Sequence, residues 1–376
     1  MTWSERLHGH LIGRQGSRAD LNTPALILDR TAFEANVAAM AAFARDRGLA
    51  LRPHAKTHKS ADVARAQIAA GAVGQCCAKL GEAEALAAEG IHGLHLTSPV
   101  VTPRAIERLI ALHQASPGLS VVADHPDTVD AVARANHERA PLTMLVDVDP
   151  GIHRTGVASP ADAVALARRI AAAEALTYGG VQFYCGSQQH IPGFAERRAA
   201  IAERTDYLRT VLALLDEAKL APPVVTGGGT GSHLIDAELG VLTELQCGSY
   251  AFMDREYGAC DLGTRFATAL IVDASVISAN HAGLSTIDAG LKAFSSDAGA
   301  PLVMTGAPEG SVYRVMGDEH GCIVPPAGFA APPLGARVSL ATPHCDPTVN
   351  LYDAYHLVEG DTLVAIWPVT ARGRSA

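Results

Sequence analysis

Residues 143–184, TMLVDVDPGIHRTGVASPADAVALARRIAAAEALTYGGVQFY, contain an apolar run, an Ala-rich stretch and a second apolar run. The two apolar runs, 143–149 and 178–184, contain β-branched or aromatic residues and predict buried strands. The stretch 161–174 between them has the composition and apolar spacing of a helix. A strand, a helix and a second strand of this kind predict two parallel strands covered by the helix.

The same alternation recurs through the first 260 residues of the chain. Strand-like runs lie near 50–56, 73–78, 93–98, 120–124, 143–149, 178–184, 223–227 and 242–253. Helical stretches such as 59–70, 103–115 and 194–218 separate many of these runs. Local periodicity does not distinguish a closed barrel from an open doubly wound sheet. The count of eight strand-like runs favours a (β/α)8 barrel of the TIM type.

The character of the sequence changes near residue 262. Short β-rich runs with turns containing Pro and Gly between them follow, at 267–277, 284–288, 311–316, 336–340 and 362–367. These runs predict a mostly β domain. We therefore expect an α/β barrel domain over 24–261 and a C-terminal β domain over 262–376. The short strand predicted at 24–29 is a candidate to pair with the second domain.

Composition excludes several classes of protein. The chain has 376 residues, 48% of them hydrophobic, which is enough to fill a large core and excludes general disorder. Its net charge of -9 argues against nucleic acid or an anionic membrane as the main partner. The seven cysteines form no CxxC pair, so neither a disulfide framework nor a thiolate zinc cage is expected. These features predict a soluble protein of the reducing cytoplasm.

A dense group of basic residues occurs in Arg52-Pro-His54-Ala-Lys56-Thr-His58-Lys59. In an extended strand Arg52, His54 and Lys56 would project from one face. Buried cations without anionic partners are unfavourable, so this face predicts an anionic ligand or a lysine neutralised as an imine. The alternative is a strand end that frays into solvent and carries ordinary surface lysines.

A glycine-rich loop, Thr226-Gly-Gly-Gly-Thr-Gly-Ser232, follows the apolar run 223–225. Its amides, together with the hydroxyls of Thr230 and Ser232, are suited to bind an anion, and late strands of barrels commonly end in phosphate sites. The loop lacks the GxGxxG spacing of a dinucleotide site, because Ser232 stands at the sixth position. Phosphate binding is favoured over a merely flexible loop.

Two further groups of residues could carry chemistry. In an extended segment His344 and Asp346 would project to the same face, where they could hold Mn²⁺, Mg²⁺ or Zn²⁺ in an open site; a turn with an Asx hydrogen bond is the alternative. Asp318 could add an acid or orient a water molecule, or lie in a solvated turn. Arg154 follows one predicted barrel strand and Tyr184 stands at the end of another, on the side where barrel enzymes place their catalytic groups; a core or surface position is the alternative for each.

Taken together, these motifs resemble those of the D-threonine aldolases, which are fold-type III pyridoxal phosphate (PLP) enzymes related to alanine racemase and the D-serine dehydratases. The likeness extends over about 23–372 and is carried by Thr23-Pro-Ala-Leu, 52–59, 147–156, Gly227-Gly-Gly-Thr-Gly231, Gly248-Ser-Tyr-Ala-Phe-Met-Asp254 and His344-Cys-Asp-Pro-Thr348. It implies an alanine racemase-like barrel with a C-terminal β domain, a homodimer, bound PLP and a divalent metal beside it.

The resemblance also implies roles for individual residues. Lys56 matches the lysine that forms the Schiff base, with Lys59 as the competing candidate, and Arg154 matches the arginine near the phenolic oxygen of the cofactor. His344 and Asp346 match the metal pair. Related dehydratases carry Cys at the second metal position, so Asp346 favours Mn²⁺, with Mg²⁺, Co²⁺ or Zn²⁺ as alternatives. The remaining residues matched to cofactor-binding positions are Gln75, Tyr184, Thr226, Gly228, Gly229, Thr230 and Tyr250.

The reaction implied by the resemblance is retro-aldol cleavage of D-threonine, D-allo-threonine or similar D-3-hydroxy amino acids to glycine and an aldehyde. Asp318 is the candidate for handling the proton of the β-hydroxyl, and His58 is the alternative. A D-serine dehydratase, or a 3-hydroxy-D-aspartate dehydratase or aldolase, would use the same residues. A non-enzymatic PLP-homeostasis protein is the third hypothesis, against which the residues after 262 argue.

Overall fold

The computed structural model describes residues 2–264 and 266–376. Its strands are β1 (Ala25–Asp29), β2 (Ala50–Leu51), β3 (Gln75–Cys77), β4 (Leu94–Leu96), β5 (Ser120–Ala123), β6 (Leu142–Asp147), β7 (Leu176–Phe183), β8 (Val224–Gly227), β9 (Glu244–Leu245), β10 (Leu270–Ser278), β11 (Ser285–Ile287), β12 (Leu302–Thr305), β13 (Val312–Val315), β14 (Gly321–Val324), β15 (Arg337–Ala341), β16 (Ala354–Glu359) and β17 (Thr362–Pro368). Its α-helices are α1 (Trp3–His8), α2 (Arg30–Asp46), α3 (Ala61–Ala69), α4 (Leu80–Ala88), α5 (Pro103–Ala115), α6 (Pro126–Ala135), α7 (Pro160–Ala172), α8 (Phe194–Glu217), α9 (His233–Leu239), α10 (Arg255–Gly258) and α11 (Cys345–Val349).

The first sheet contains eight parallel strands in the order β2-β9-β8-β7-β6-β5-β4-β3. A parallel bridge between His54 and Cys76 connects the two ends of this series. The backbone hydrogen bond from Val73 N to Leu51 O, 2.9 Å long, strengthens the same junction. The strands thus form the TIM-like (β/α)8 arrangement that the alternating sequence pattern predicts.

The barrel helices begin where the sequence provides capping residues. Ser159 accepts a hydrogen bond from Asp162 N at the start of α7, and Pro160 occupies the first helical position, where its missing N–H has no consequence. The buried residues of α7 are Ala163, Leu166, Ala167 and Ile170, spaced at i, i+3, i+4 and i+7. This spacing places one apolar face against the strands.

The second sheet contains β1 and the strands from β10 to β17. Strand β1 lies between β10, with which it pairs antiparallel, and β16, with which it pairs parallel. Residues near the N-terminus thereby enter a sheet that is otherwise built from the last third of the chain. No helix in the described part of the chain is long and apolar enough to cross a membrane.

Three segments differ from their predicted conformations. In the run predicted over 242–253, only Glu244–Leu245 is a strand, and Ser249–Ala251 forms a 3₁₀ turn. The strand predicted over 50–56 ends at Leu51, and Lys56 lies in a 3₁₀ turn, Ala55–Thr57, so Lys56 does not continue a strand face with Arg52 and His54. The HxD segment was expected to be extended throughout. It is not, because His344 precedes α11 and Asp346 lies within that helix.

Candidate active site

A cavity of about 370 Å³ lies at the carboxyl ends of the barrel strands. Residues predicted from the sequence that line it are Lys56, Arg154, Tyr184, Gly229 and Thr230. It is also lined by polar side chains that were not predicted from the sequence, namely those of Thr97, Ser98, Gln182, Gln246, Ser249 and Tyr257. Most of these residues follow barrel strands directly, so the parallel topology brings them together at one edge.

The side chain of Lys56, which lines the cavity, contacts the HxD segment. Its Nζ lies 2.5 Å from Oδ2 of Asp346, a residue 290 positions later in the chain. The Asp346 carboxylate raises the pKa of Lys56. Burial would raise the pKa of Asp346, but the positive charges of Lys56 and His344 outweigh burial and hold that pKa below its ordinary value. The structure therefore joins the predicted lysine and one predicted metal ligand in a single ion pair.

The other cations of the basic segment have different partners. The guanidinium of Arg52 makes two 3.0 Å hydrogen bonds to the carboxylate of Glu244 inside the barrel. Lys59 lies 3.1 Å from Glu82, and 12% of its side chain is exposed. Protein carboxylates therefore balance the charges of Arg52 and Lys59. The prediction that these cations require an external anion is wrong. Lys59 does not line the cavity, whereas Lys56 keeps 41% of its side chain accessible.

Arg154 and Tyr184 contact each other on the wall of the cavity. The guanidinium carbon of Arg154 lies 5.7 Å from the centre of the Tyr184 ring, within the range of a cation–π contact. Burial raises the pKa of Tyr184, so its hydroxyl is protonated near neutral pH. The pair offers a cation and a phenol to a ligand in the cavity.

The glycine-rich loop faces the cavity with Gly229 and Thr230. The hydroxyl of Thr230 accepts a 2.9 Å hydrogen bond from Tyr250 N, which leaves its proton free to donate. Within residues 2–264 and 266–376, no acceptor pairs with the backbone amides of Thr230 and Ser249. At Gly248 an added Cβ would lie 2.5 Å from Thr57 Oγ1, so the backbone is held close to the turn that carries Lys56. These donors form a cradle suited to an anionic group.

Other residues of the loop do not line this cavity. Thr226 donates a 2.9 Å hydrogen bond to Glu244 inside the barrel, and Gly228 packs against Asp236. The hydroxyl of Ser232, expected to donate to an anion, instead donates to Asp236 at 2.6 Å. Fewer residues of the loop are therefore available to bind an anion than the sequence predicted.

Three other predicted residues form a buried hydrogen-bonded chain beside the cavity. His58 contacts Gln75 at 3.2 Å, Gln75 donates to Gln67 at 3.1 Å, and Gln67 donates to the hydroxyl of Tyr250 at 3.1 Å. Burial lowers the pKa of His58 to about 4, so this histidine is neutral at physiological pH. None of these four side chains lines the cavity, so the roles expected for His58, Gln75 and Tyr250 stay predictions.

His344 and Asp346 present an open pair of donors. His344 Nδ1 lies 2.6 Å from Asp297 Oδ2, an arrangement that leaves Nε2 available to a metal ion. Asp297 was not identified from the sequence, since it lies 47 residues before His344. In the described chain no group of three or more His, Cys, Asp or Glu side chains is arranged to hold a metal. Any ion here would take much of its coordination from water or substrate.

Asp318 lies away from the cavity and from the donor pair His344 and Asp346 of its own subunit. It occupies an exposed turn between β13 and β14, next to the ion pair of Lys292 with Glu319. It does not line the cavity. Asp318 therefore lies in a solvated turn, which was the alternative expected for this segment. From this position it has no structural support as a proton acceptor in the cavity of its own subunit.

His190 is a functional candidate that the sequence analysis did not select. Its Nδ1 lies 2.9 Å from Glu256, and its ring packs edge-on against the ring of Tyr257, which lines the cavity. Its Nε2 is buried and has no hydrogen-bond partner among the described residues. Burial lowers the pKa of His190. Its place in the loop after β7 was the available signal, because such loops carry the functional groups of barrel enzymes.

Comparison with known proteins identifies the family. Residues 28–256 match the family described as alanine racemase, N-terminal domain, and residues 269–358 match the putative serine dehydratase domain. A D-threonine aldolase from Arthrobacter is 39% identical over 360 residues, which cover 95% of this chain and 94% of that protein. The chain belongs to the D-threonine aldolase family. This family places it among the carbon–carbon lyases of fold type III.

Solved structures of the D-threonine aldolase family and its relatives agree with this assignment. The structure of D-threonine aldolase from Filomicrobium marinum superposes with a TM-score of 0.92 at 38% identity, covering 95% of this chain and 97% of that one. A 3-hydroxy-D-aspartate aldolase from Paracoccus denitrificans is 37% identical, covering 95% of this chain and 93% of that protein. The D-threo-3-hydroxyaspartate dehydratase from Delftia superposes with a TM-score of 0.83 at 28% identity, covering 93% of this chain and 98% of that one.

Proposed function

We propose that this protein is a PLP- and divalent-metal-dependent aldolase that cleaves D-3-hydroxy amino acids, D-threonine first, to glycine and an aldehyde. The observation that carries this proposal is the 2.5 Å contact between Asp346 and Lys56, a residue that lines the barrel cavity. It joins the lysine proposed to bind the cofactor to the proposed metal motif across 290 residues of sequence. Family membership at 39% identity to a D-threonine aldolase supports the same reaction.

The residues of the cavity fit PLP. Lys56 supplies an accessible amine, Arg154 and Tyr184 offer polar contacts for the ring oxygen, and the free amides of Thr230 and Ser249 suit the phosphate. When bound, PLP acts as the electron sink for the electron pair of the broken Cα–Cβ bond. Lys56 would hold PLP through the same amine that now pairs with Asp346 as an ammonium ion.

With PLP bound there, the Asp346 carboxylate, which is 11% exposed, would lose its ammonium partner. A divalent ion held by Asp346 and Nε2 of His344 would be a new cationic partner for it. The chemistry that such an ion supplies is a lowered pKa of the β-hydroxyl of the substrate. A carboxylate and an imidazole suit Mn²⁺, and Mg²⁺, Co²⁺ or Zn²⁺ would also bind such donors.

We assign the β-hydroxyl proton to His190, which does not itself line the cavity but packs against the lining residue Tyr257. With Nδ1–H donating to Glu256, the neutral ring has a free electron pair on Nε2, and burial keeps the ring neutral at physiological pH. We expect H190Q to lower kcat by about 100-fold with PLP binding unchanged. His153, whose side chain is 87% exposed and also pairs with a carboxylate, provides the matched control: H153Q should leave kcat unchanged. A normal kcat in H190Q would contradict the assignment.

The charges of the cavity favour a substrate with one carboxylate. The lining cations are Lys56 and Arg154, both assigned to the cofactor, and burial lowers the pKa of His54 well below its ordinary value. No further cation among the described lining residues is available for a second substrate carboxylate. D-threonine should therefore have a higher kcat/KM than D-3-hydroxyaspartate.

Product analysis tests the proposed reaction. D-threonine, D-serine and D-3-hydroxyaspartate are supplied to the purified protein with and without added Mn²⁺, and L-threonine is the control. Glycine and acetaldehyde from D-threonine, with L-threonine inert, would support the aldolase. 2-Oxobutanoate and ammonia would replace it with a dehydratase. Bound PLP without turnover of any substrate would favour the PLP-homeostasis protein.

We also propose that the protein acts as a homodimer in the cytoplasm. The free state of all seven cysteines supports a reducing compartment. An apolar surface suited to a second copy lies on β12, β13 and the residue that follows β13. Its exposed side chains are Leu302, Met304, Val312, Val315 and Met316. Light scattering of the purified protein would measure the mass of the assembly, and a monomeric mass would contradict the proposal.

A further inference from the structure

Arg197, near the start of α8, is a fully buried arginine outside the cavity. Its Nε donates a 2.7 Å hydrogen bond to Gly231 O, and its two terminal nitrogens donate to the carbonyls of Ile191 and Asp261. The side chain is 0% exposed. Among the described residues no carboxylate forms an ion pair with it, although the other arginines near the barrel core, such as Arg52, have one. A buried guanidinium with only neutral partners is therefore an unusual feature of this fold.

Neutral carbonyls satisfy the hydrogen bonds of the guanidinium but do not cancel its charge. Burying an unbalanced cation costs free energy, and that cost is reduced when an anion binds nearby. Gly231, which accepts from Arg197, directly follows Thr230, whose amide and hydroxyl face the cavity. Arg197 does not line the cavity, so its guanidinium contacts the glycine-rich loop from outside the cavity. A dianionic group in the cradle would sit close enough to interact with this guanidinium through the low-dielectric interior.

We propose that Arg197 is a positioning residue that balances the charge of the cofactor phosphate from outside the cavity. The proposal rests on the proposed function, because it takes PLP as the ligand of the cradle. It goes beyond that function by assigning the preference for a phosphorylated cofactor to a residue that does not contact it. Arg197 also holds the carbonyl of Ile191, the residue after His190, and so connects the phosphate loop with the loop of the proposed base.

Arg197 contributes hydrogen bonds that brace the surrounding loops and a positive charge, and the two effects can be measured separately. If Arg197 only braces the loops, its loss would weaken every ligand of the cavity to the same degree. If its charge matters, the loss would weaken PLP specifically and leave pyridoxal, which lacks the phosphate, nearly unaffected. The ratio of the two dissociation constants therefore distinguishes the roles without any measurement of turnover.

The experiment measures binding of PLP and of pyridoxal to cofactor-free full-length protein by equilibrium dialysis. In R197Q we expect the Kd of PLP to rise about 10- to 100-fold and the Kd of pyridoxal to change less than about 3-fold. R197K keeps the charge but cannot reproduce the hydrogen bonds to three separate segments, and it should retain the preference for PLP. R198Q is the matched control, because Arg198 is exposed and paired with Glu238, and both constants should stay unchanged.

Each outcome bears on the proposal. Equal weakening of PLP and pyridoxal in R197Q, or loss of the PLP preference in R197K despite its retained charge, would overturn it. If R197Q does not fold, the two absolute constants of R197K decide: wild-type Kd values for both PLP and pyridoxal would support a role for the charge, and equal weakening of both would show bracing alone and overturn the proposal. Failure of the wild-type protein to bind PLP at all would instead refute the proposed function, so the two failures are distinguishable.

Discussion

Substitution of Asp346 by Asn should speed attachment of PLP to the metal-free protein. Asn has nearly the same shape but lacks the charge that holds Lys56 as an ammonium ion at 2.5 Å. Only the neutral amine reacts with the cofactor aldehyde, so a lower pKa of Lys56 means a larger reactive fraction. The change separates the two roles of Asp346, since metal binding should fail while PLP binding improves.

The structure sets the size of the effect. Two unit charges about 4 Å apart interact by about 4 kcal/mol at the effective dielectric constant of a protein surface. Because 41% of the Lys56 side chain is accessible, solvent screening reduces this to about 1.5–3 kcal/mol. Loss of this interaction in D346N would lower the pKa of Lys56 by about 1–2. The neutral fraction of the amine at pH 8 would then rise about 10- to 100-fold.

Stopped-flow absorbance of PLP mixed with chelator-treated apoprotein at pH 8 would measure this rate. D297N is the control, because Asp297 contacts His344 and not Lys56, and its side chain is 54% exposed. We expect D297N to react at the wild-type rate and D346N about 10- to 100-fold faster. An unchanged or slower rate in D346N would refute the idea that this ion pair controls the reactivity of Lys56.

Three further predictions concern the cofactor, the metal and acid stability. Borohydride treatment of the yellow holoprotein should fix the pyridoxyl group to the peptide of Lys56, and labelling of Lys59 or Lys292 would contradict the site. A chelator should abolish cleavage while PLP stays bound, and Mn²⁺ should restore it, because two protein donors bind metal only moderately; full activity of the metal-free protein or of H344A would exclude the metal role. Burial lowers the pKa of His356 to about 4, so the unfolded chain binds more protons between about pH 6.5 and 4. This histidine should therefore reduce the free energy of unfolding by about 1.4 kcal/mol per pH unit as the pH falls through that window. Urea unfolding of wild type and H356Q at pH 7, 6 and 5 would measure this contribution, and equal slopes would contradict it.

The barrel was predictable because each strand and helix carries its own local pattern. Helix α5, for example, begins at Pro103 after the cap Thr102 and ends at Ala115, as the sequence predicts. The second domain was less predictable. Strands β12, β14 and β16 were not identified, since short strands carry few residues of periodic signal and their pairing depends on distant partners.

The candidate site was predictable in its residue types more than in its geometry. Lys56 and Asp346 were identified from separate motifs, but nothing local indicates that they form an ion pair across 290 residues. Pairing of Arg52 with Glu244 likewise depends on two neighbouring barrel strands. His190 carries one signal in the sequence, its place in the loop after β7, but its free ring nitrogen is visible only from the packing around it.

The position of β1 has a consequence for synthesis of the chain on the ribosome. Strand β1 emerges early, yet its partners β10 and β16 begin 245 and 329 residues after Ala25, at Leu270 and Ala354. Until those residues are made, an apolar strand, ALILD, remains with unpaired edges while the barrel strands between them can already associate. The second sheet can therefore close only near the end of translation, and a fragment that starts after residue 261 would lack its inner strand and expose two edges prone to aggregation.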